Sequence, residues 1–371
     1  MEVEFPDDFR CPISLEVMTD PVILSSGHTF DRASIQRWLD SGNRTCPVTK
    51  LPLPPSPSLI PNHALRSLIS HFTPNLSSKS PPCSSSSSSS SFPRELVSSL
   101  SFPSDPDSLA AVLRLVKRSA AFRRLVADSG ATAVLLRHAA ARGCPDLQEL
   151  SLRAILHLTL DGDDARVALV AEGAVDAAAA ALNSGCAAAA LAATTLTSLA
   201  TVEVNKCTIG AHPTAIAGLA ALLREGGGRE RREAATALYE LCKFPENRRR
   251  TVAAGAVPAL VEFAGAGSER AVQVLGLVAK CQEGRQEIRK LDGFVRVLTA
   301  VLRVGSSRGV EHALLALNLM CSDNKDMALQ AIKEGALDLC LPLLGHENGK
   351  IGKNAVTLAR TLQKTQLGCS V

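Results

Sequence analysis

The chain has 371 residues, a net charge of +4, 46% hydrophobic residues and only 3% aromatic residues. This mild charge does not indicate nucleic-acid binding, and the scarcity of rings indicates helices packed through small side chains. The acidic start, MEVEFPDD, lacks the apolar segment of a secretory signal, and no apolar run is long enough to predict a membrane span. The eleven cysteines are scattered and odd in number, which favours free thiols. We expect a soluble cytoplasmic protein, with a nuclear location left open.

Two Cys-Pro loops, beginning at Cys11 and Cys46, bracket a turn at His28 and a short helical segment that contains Trp38. This loop–helix–loop layout is similar to that of a RING finger, which is built around two zinc ions. Two tetrahedral zinc sites need about eight Cys or His ligands, whereas residues 9–72 contain two cysteines and three histidines. We therefore predict that no metal holds the loops. Polar side chains should hold them instead, and the candidates are Glu16, Asp20, Asp31, Arg32 and Thr45.

Five linked motifs in this stretch resemble the U-box, the zinc-free relative of the RING finger: CPISLEVMTDPV, SGHTFDR, IQRWLDSG, TCPVTK and PNHALRSLI. They occur in the order and spacing of that family. The resemblance implies a small α+β domain, assigned here to residues 1–75, without metal or cofactor. It also implies E3 ubiquitin ligase activity. Such a domain recruits a ubiquitin-charged E2 enzyme and promotes transfer to a substrate lysine, with no covalent ubiquitin intermediate of its own.

The resemblance places the E2 in a shallow groove between the two loops and the central helix. It assigns apolar contacts to Ile13 and Pro47, the floor of the groove to Trp38 and one edge to Val22. A small patch of desolvated apolar anchors provides most of the energy of such an interface. The alternative is that Ile13, Val22 and Trp38 are the core of a small domain.

Lys50 follows the second loop, at a position where related ligases often carry an arginine that bridges E2 and ubiquitin. Because lysine is a flexible point charge rather than a planar fork, we expect a weakened version of this contact, with a solvated lysine as the alternative. Cys11 and Cys46 precede prolines and have no evident His or Asp partner that would activate a nucleophile. We interpret them as small buried apolar groups, and His28 as a residue that stabilises its turn through a hydrogen bond.

A segment rich in Ser and Pro, residues 76–93, follows and contains the serine run 84–91. Its composition cannot bury enough apolar surface to offset the entropy of ordering, so we predict a flexible linker. Beyond it, in residues 94–371, phrases of the Gly-Ala-Val type recur at positions 130, 173, 214, 255, 293 and 335. A period of roughly 41 residues between helical patterns is typical of armadillo or HEAT arrays. The phrases resemble armadillo repeats and predict an all-α right-handed solenoid of five to six repeats.

Plants combine a U-box with armadillo repeats in a large family of ubiquitin ligases, and this chain resembles its smaller members. The repeats should select the protein substrate. In import receptors built from such repeats, Trp and Asn four residues apart on each third helix line the concave groove. The corresponding stripe, which we predict to bind substrate unless it is merely a solvated face, is Arg153, His157, Thr194, Ser198, Thr236, Glu240, Gln273, Leu277, Leu314 and Asn318. Because only Asn318 keeps the asparagine, an import-adaptor function is not expected.

Two basic clusters, residues 229–232 and 248–250, lack the aromatic platform of a nucleic-acid site. We interpret both clusters as solvated loops or groove edges. The alternative for the second cluster is that it attracts an acidic segment of the substrate. The predicted partners are therefore a ubiquitin-charged E2 and a protein substrate, without nucleic acid or membrane, and a dimer formed through the U-box is left open. The competing function is a non-catalytic scaffold that binds E2 or other partners without promoting transfer.

Overall fold

The structure, a computed structural model of the chain, describes residues 6–54, 57–62, 65, 66, 69, 91–98, 100, 105–141, 143–184 and 186–367. These residues fall into two compact units, one before residue 70 and one after residue 90. Most of the predicted linker 76–93, including residues 84–90 of its serine run, lies outside the described residues. A helix begins at Ser91, within the last three residues of that segment. In the described part of the chain, no helix is long and apolar enough to span a membrane.

The N-terminal unit is a small α+β domain. Strands β1 (Pro21–Ile23), β2 (Thr29–Asp31) and β3 (Ile60–Pro61) form an antiparallel sheet in the order β2-β1-β3. Helix α1 (Arg32–Asp40) follows β2 directly, and a single 3-10 turn (Asp7–Phe9) precedes the first loop. The core is formed by Phe9, Cys11, Met18, Val22, Leu24, Phe30, Ile35, Cys46, Leu53 and Ile69.

In the described residues of the C-terminal unit, all regular secondary structure is helical, including two 3-10 turns at Thr159–Asp161 and Leu341–Leu343. Its helices are α2 (Ser91–Ser98), α3 (Pro106–Arg118), α4 (Ala120–Asp128), α5 (Ala131–Ala140), α6 (Pro145–Leu158), α7 (Asp163–Ala171), α8 (Ala174–Ala181), α9 (Cys186–Leu199), α10 (Glu203–Ala211), α11 (Ala215–Glu225), α12 (Gly228–Cys242), α13 (Pro245–Ala253), α14 (Ala256–Gly265), α15 (Glu269–Val278), α16 (Gln282–Arg289), α17 (Phe294–Val304), α18 (Ser307–Asp323), α19 (Lys325–Lys333), α20 (Ala336–Cys340) and α21 (Gly349–Leu367).

From α4 onward these helices form six repeats of three helices within residues 105–367. The third helices, α6, α9, α12, α15, α18 and α21, each pack against the next, and α3 packs against α6 in the same way. The second helix of each repeat begins directly after the glycine position of the recurrent phrase. Five of the six residues that precede these helices are glycines with a left-handed φ of 69° to 98°, a conformation that costs other residues energy. Thr214, the exception, has a φ of −117°.

Two buried asparagines connect consecutive repeats. Asn247 donates its amide to the carbonyl of Lys206 at 2.8 Å, one repeat earlier, and to the carbonyl of Leu241 at 3.1 Å. Asn205 makes the corresponding pair of bonds one repeat before. Gly210 leaves room for this arrangement, since a Cβ there would lie 1.8 Å from Asn247 Oδ1. These bonds satisfy buried carbonyls that would otherwise be costly to leave unpaired.

Candidate functional site

The two Cys-Pro loops have the same backbone structure. In the first, Cys11 N–H donates at 2.8 Å to the carbonyl five residues further on, and Leu15 N–H donates back to the Cys11 carbonyl at 2.8 Å. In the second, Cys46 and Lys50 make the same two bonds, both at 2.9 Å. Leu15 and Lys50 also share a φ of 60°, which is strained for residues with a Cβ. The loops are therefore equivalent, and Leu15 corresponds to Lys50.

The two cysteines at the start of these loops are fully buried, and their sulfurs accept hydrogen bonds. The backbone N–H of Asp31 donates to Cys11 Sγ at 3.2 Å, and the Ser26 hydroxyl donates to Cys46 Sγ at 3.0 Å. Burial alone raises the pKa of the Cys46 thiol, but hydrogen bonds from Ser26 and Thr49 outweigh it and lower that pKa to about 7. A sulfur shielded from solvent is not accessible as a nucleophile. Among the described residues, no group of three His, Cys, Asp or Glu could hold a metal ion.

Polar side chains tie the segment that follows the first loop to the start of α1. One carboxylate oxygen of Asp31 accepts the Thr19 N–H at 2.8 Å, the Thr19 hydroxyl at 3.1 Å and the Asp20 N–H at 3.1 Å, while the other caps α1 through Ala33 N–H at 3.2 Å. Asp20 in turn pairs with Arg32 at 2.7 Å and with Arg66. Partial burial opposes ionisation of Asp31, but these hydrogen bonds lower its pKa overall.

The other candidate staples act through main-chain oxygens. The carbonyl of Glu16 accepts from Cys11 N–H, and the carbonyl of Thr45 accepts the indole N–H of Trp38 at 2.9 Å. His28 accepts the Leu24 N–H through its carbonyl at 2.9 Å, which closes the turn between β1 and β2.

Trp38 connects α1 to the second loop. Besides the indole bond to Thr45, its own carbonyl accepts the Asn43 amide at 3.0 Å. Lys50 folds back over this loop: its Nζ donates to the Pro47 carbonyl at 2.8 Å and lies 6.0 Å from the centroid of the Trp38 ring. The exposed Lys50 side chain is therefore positioned by contacts with its own loop and with Trp38.

The predicted E2 contacts differ in exposure. Ile13, Trp38 and Pro47 are half-buried, and the first two also pack against the core, so each can present an apolar surface to a partner. Val22 is wholly buried, with an exposed fraction of 0%. The prediction of a partner contact for Val22 is therefore wrong. Val22 lies at the centre of β1, between β2 and β3, and its side chain turns into the core.

Sequence reasoning missed three exposed apolar residues on the loops. Leu15 is 71% exposed, Leu51 60% and Val48 43%. A single exposed apolar residue is common on a protein surface. These three residues, however, flank the half-buried Ile13 and Pro47 in the two equivalent loops. The shared spacing Cys-Pro-x-x-x could have revealed Leu15 and Val48, because it aligns Leu15 with Lys50 and Ile13 with Val48.

The predicted substrate stripe follows the third helices through the first half of the array. Arg153 is exposed, and the next five predicted positions, from His157 to Glu240, are half-buried. Thr194 donates to Glu233 of the next third helix at 3.0 Å, and Ser198 hydrogen-bonds Thr159 of the preceding repeat at 2.7 Å. These positions therefore lie on a polar face that is continuous between repeats.

The second half of the predicted stripe is wrong. Leu314 is wholly buried, and Gln273, Leu277 and Asn318 are 5%, 7% and 7% exposed. Asn318 donates to the carbonyl of Asn354 on the next third helix at 2.9 Å. These side chains pack between repeats rather than facing solvent, because they lie on the buried faces of α15 and α18.

Comparison with known proteins agrees with this architecture. Residues 5–77 match the family described as the U-box domain, and residues 91–358 match the plant U-box protein ARM repeat region. U-box domain-containing protein 8 of Arabidopsis thaliana is 50% identical over 376 residues, covering 98% of each chain. The E3 ubiquitin-protein ligase SPL11 of Oryza sativa subsp. japonica is 41% identical over 177 residues, which cover 43% of this chain and 25% of the relative.

A solved structure has a similar fold over most of the chain. An engineered protein superposes with a TM-score of 0.64 and 21% identity, over 73% of this chain and 67% of its own. The predicted fold class, a U-box domain followed by an armadillo array, is confirmed by the family matches and by the helix packing. The chain belongs to the plant U-box proteins with an armadillo repeat region.

Proposed function

We propose that this chain is an E3 ubiquitin ligase whose N-terminal unit binds a ubiquitin-charged E2 through its two Cys-Pro loops. The observation that carries the proposal is the pair of equivalent loops, each held by internal hydrogen bonds and each presenting partly exposed apolar side chains. A preorganised apolar patch suits a transient interface, because little entropy is lost when it binds. Membership of the U-box family and the name of the rice relative support the same reading.

The proposed chemistry takes place on the E2. A substrate lysine amine attacks the thioester carbonyl that joins ubiquitin to the E2 cysteine, an amide bond forms, and the E2 thiolate leaves. The ligase contributes orientation, which requires no nucleophile of its own. Both loop cysteines are shielded from solvent, which agrees with this role.

Lys50 is proposed to contact the E2–ubiquitin pair. Its ammonium group rests on the Pro47 carbonyl beside Trp38, at the edge of the loop that carries Val48. The ammonium has three N–H donors, so it can contact a partner while it keeps this bond, and lysine offers one point charge where arginine offers a fork. We therefore propose that Lys50 gives a modest acceleration of ubiquitin transfer.

The armadillo unit is proposed to bind the protein substrate on the open face of its third helices. In the first repeats this face carries Arg153, His157, Thr194 and Ser198. Its polar bridges between successive helices hold the face in one conformation.

The test is autoubiquitination of the full chain with purified E1, a broad-range E2, ubiquitin and ATP. The wild type should build ubiquitin chains, and Ile13→Ala, Pro47→Ala and Leu15→Ala should each slow their formation at least several-fold. Val304→Ala is the matched control, since this valine is 88% exposed in the helical unit. Fluorescence of Trp38, the only tryptophan, verifies that each variant of the N-terminal unit remains folded.

If the wild type builds no chains with any of several E2 enzymes, the ligase proposal fails and the scaffold reading takes its place. If chains form but the loop variants act like the wild type, the E2 binds elsewhere. Equal loss in Val304→Ala would show that the assay reports general damage.

A further inference from the structure

Tyr239, the only tyrosine of the chain, is surrounded by basic side chains on the row of third helices. The guanidinium carbon of Arg270, on α15, lies 4.7 Å from the ring centroid, and Nζ of Lys243, just after α12, lies 4.9 Å from it. The ring of His312, on α18, meets the tyrosine edge-on, with centroids 5.9 Å apart and an interplanar angle of 77°. Side chains from α12 and α18 thus meet across the intervening α15, so they share its open face.

A glycine in α15 makes this meeting possible. A Cβ on Gly276 would lie 2.9 Å from both Nδ1 and the carbonyl oxygen of His312. Because Gly276 has no side chain, the backbone of α15 can lie close to His312. His312 Nδ1 is buried there and has no hydrogen-bond partner. We call this surface the Tyr239 groove; its residues are Tyr239, Lys243, Arg270, Gly276, Lys280 and His312.

The groove and its surroundings carry an excess of positive charge. Among the described residues, no carboxylate lies within ion-pair distance of Arg248, Arg270 or Lys280. Two neighbouring cations are paired, Lys243 with Glu240 at 2.6 Å and Lys350 with Glu311 at 3.4 Å.

The unpaired cations influence one another. Partial burial and the positive charges of Arg248 and Lys350 lower the pKa of Lys280, and Glu311 only partly offsets them. An anion bound here would therefore add favourable contacts between opposite charges, which offset the repulsion between the cations.

We propose that the Tyr239 groove binds a carboxylate-rich, extended segment of a partner protein; that this partner is the substrate rests on the proposed ligase function. Arg270 is held between the Tyr239 ring and Gln273, whose Oε1 accepts from Arg270 Nη1 at 2.7 Å. A guanidinium fixed in this way can bind a carboxylate at a small entropic cost. The tyrosine already contacts two cations, so the groove suits a negatively charged ligand rather than a positive one.

The helix spacing sets the pattern expected in the ligand. Packed helices lie about 8–10 Å apart, and an extended chain covers about 3.3 Å per residue. Carboxylates on about every third residue would therefore follow the basic side chains from one third helix to the next.

The test measures binding of a fluorescein-labelled peptide of about four Glu-Ser-Gly repeats to the full chain by fluorescence anisotropy. We expect Lys280→Gln to raise Kd about threefold, and the double variant Arg270→Gln with Lys280→Gln to raise it about tenfold, as expected for the loss of one and two partly exposed charge contacts. The matched control is Lys333→Gln, which removes one exposed positive charge from α19, a first helix, and should leave Kd nearly unchanged. Higher salt should weaken binding.

Three results would overturn the inference: no binding of the Glu peptide by the wild type, equal binding of a Gln-Ser-Gly peptide, or equal Kd values for the groove variants and Lys333→Gln. A phosphoserine peptide that binds while the Glu peptide does not would overturn the assignment to carboxylates. Autoubiquitination in the same preparation tests the ligase proposal separately. Chain formation without peptide binding refutes the groove alone, and peptide binding without chain formation refutes the ligase and leaves a peptide-binding surface.

Discussion

Replacing Asp31 with asparagine should selectively destabilise the N-terminal unit. In the wild type the two carboxylate oxygens of Asp31 accept four hydrogen bonds. Asparagine has the same size but only one oxygen to accept them. The amide oxygen that keeps the bonds from Thr19 and Asp20 cannot also cap α1, and loss of the N-cap costs about 1 kcal/mol. Replacing the charge-assisted bonds with neutral ones costs about 1 kcal/mol more. We expect the free energy of unfolding to fall by about 2 kcal/mol, a roughly 30-fold change in the equilibrium constant.

Urea unfolding followed by Trp38 fluorescence reports this unit alone, since the chain has one tryptophan. With a slope of about 1 kcal/mol per M for a small domain, the midpoint should fall by about 2 M. Asp40→Asn is the matched control on the same helix: Asp40 is exposed and accepts one hydrogen bond, from Gln36 at 2.9 Å. It should change the free energy of unfolding by less than about 0.5 kcal/mol.

The same experiment has a pH signature. Because the native pKa of Asp31 is lowered, its stabilising effect is complete above the unfolded pKa of about 4 and is lost as the pH falls through the lower native value. The difference between the wild type and Asp31→Asn should therefore be full at pH 7 and shrink towards pH 3. The reasoning is refuted if Asp31→Asn unfolds at the same urea concentration as Asp40→Asn, or if the difference is the same at both pH values.

Three further predictions concern other parts of the chain. Lys50→Ala should slow ubiquitin discharge from the E2 and Lys50→Arg should speed it, with E2 affinity nearly constant in a binding assay; equal discharge rates would contradict the proposed contact. Asn247→Ala removes two buried hydrogen bonds and should destabilise the helical unit by about 2 kcal/mol in urea unfolding followed by circular dichroism. In the same assay Gly276→Ala should cost about 1–3 kcal/mol by crowding His312. Gly345→Ala, where a Cβ meets nothing within 4 Å, should be nearly neutral.

Features that depend on local backbone chemistry were predictable from the sequence. The glycine phrases predicted where the second helix of each repeat begins, because the left-handed backbone before that helix strongly favours glycine. Five of these positions are such glycines, and only Thr214 departs from the pattern. The shortage of metal ligands in residues 9–72 predicted hydrogen-bonded loops. Asp31 and the Asp20–Arg32 pair have that role.

Which face a side chain occupies could be predicted only in part. A residue on a helix turns by about 100° relative to its neighbour, so an error of one or two positions moves a side chain from the groove into the interface. The predicted substrate stripe lies at exposed or half-buried positions as far as Glu240 and at buried positions from Gln273 onward. Val22 was predicted to contact a partner but faces the core. Successive side chains of a strand point to opposite faces of the sheet, so an error of one position has the same effect there.

The sequence by itself determined the two-part organisation, the repeat and the absence of enough zinc ligands, because each follows from residue types and short-range spacing. The tertiary structure alone decided which side chains meet across long separations. It brings Tyr239 against Arg270 and His312 from different repeats. Such contacts depend on how helices and loops pack against one another, and neither periodicity nor composition specifies that packing.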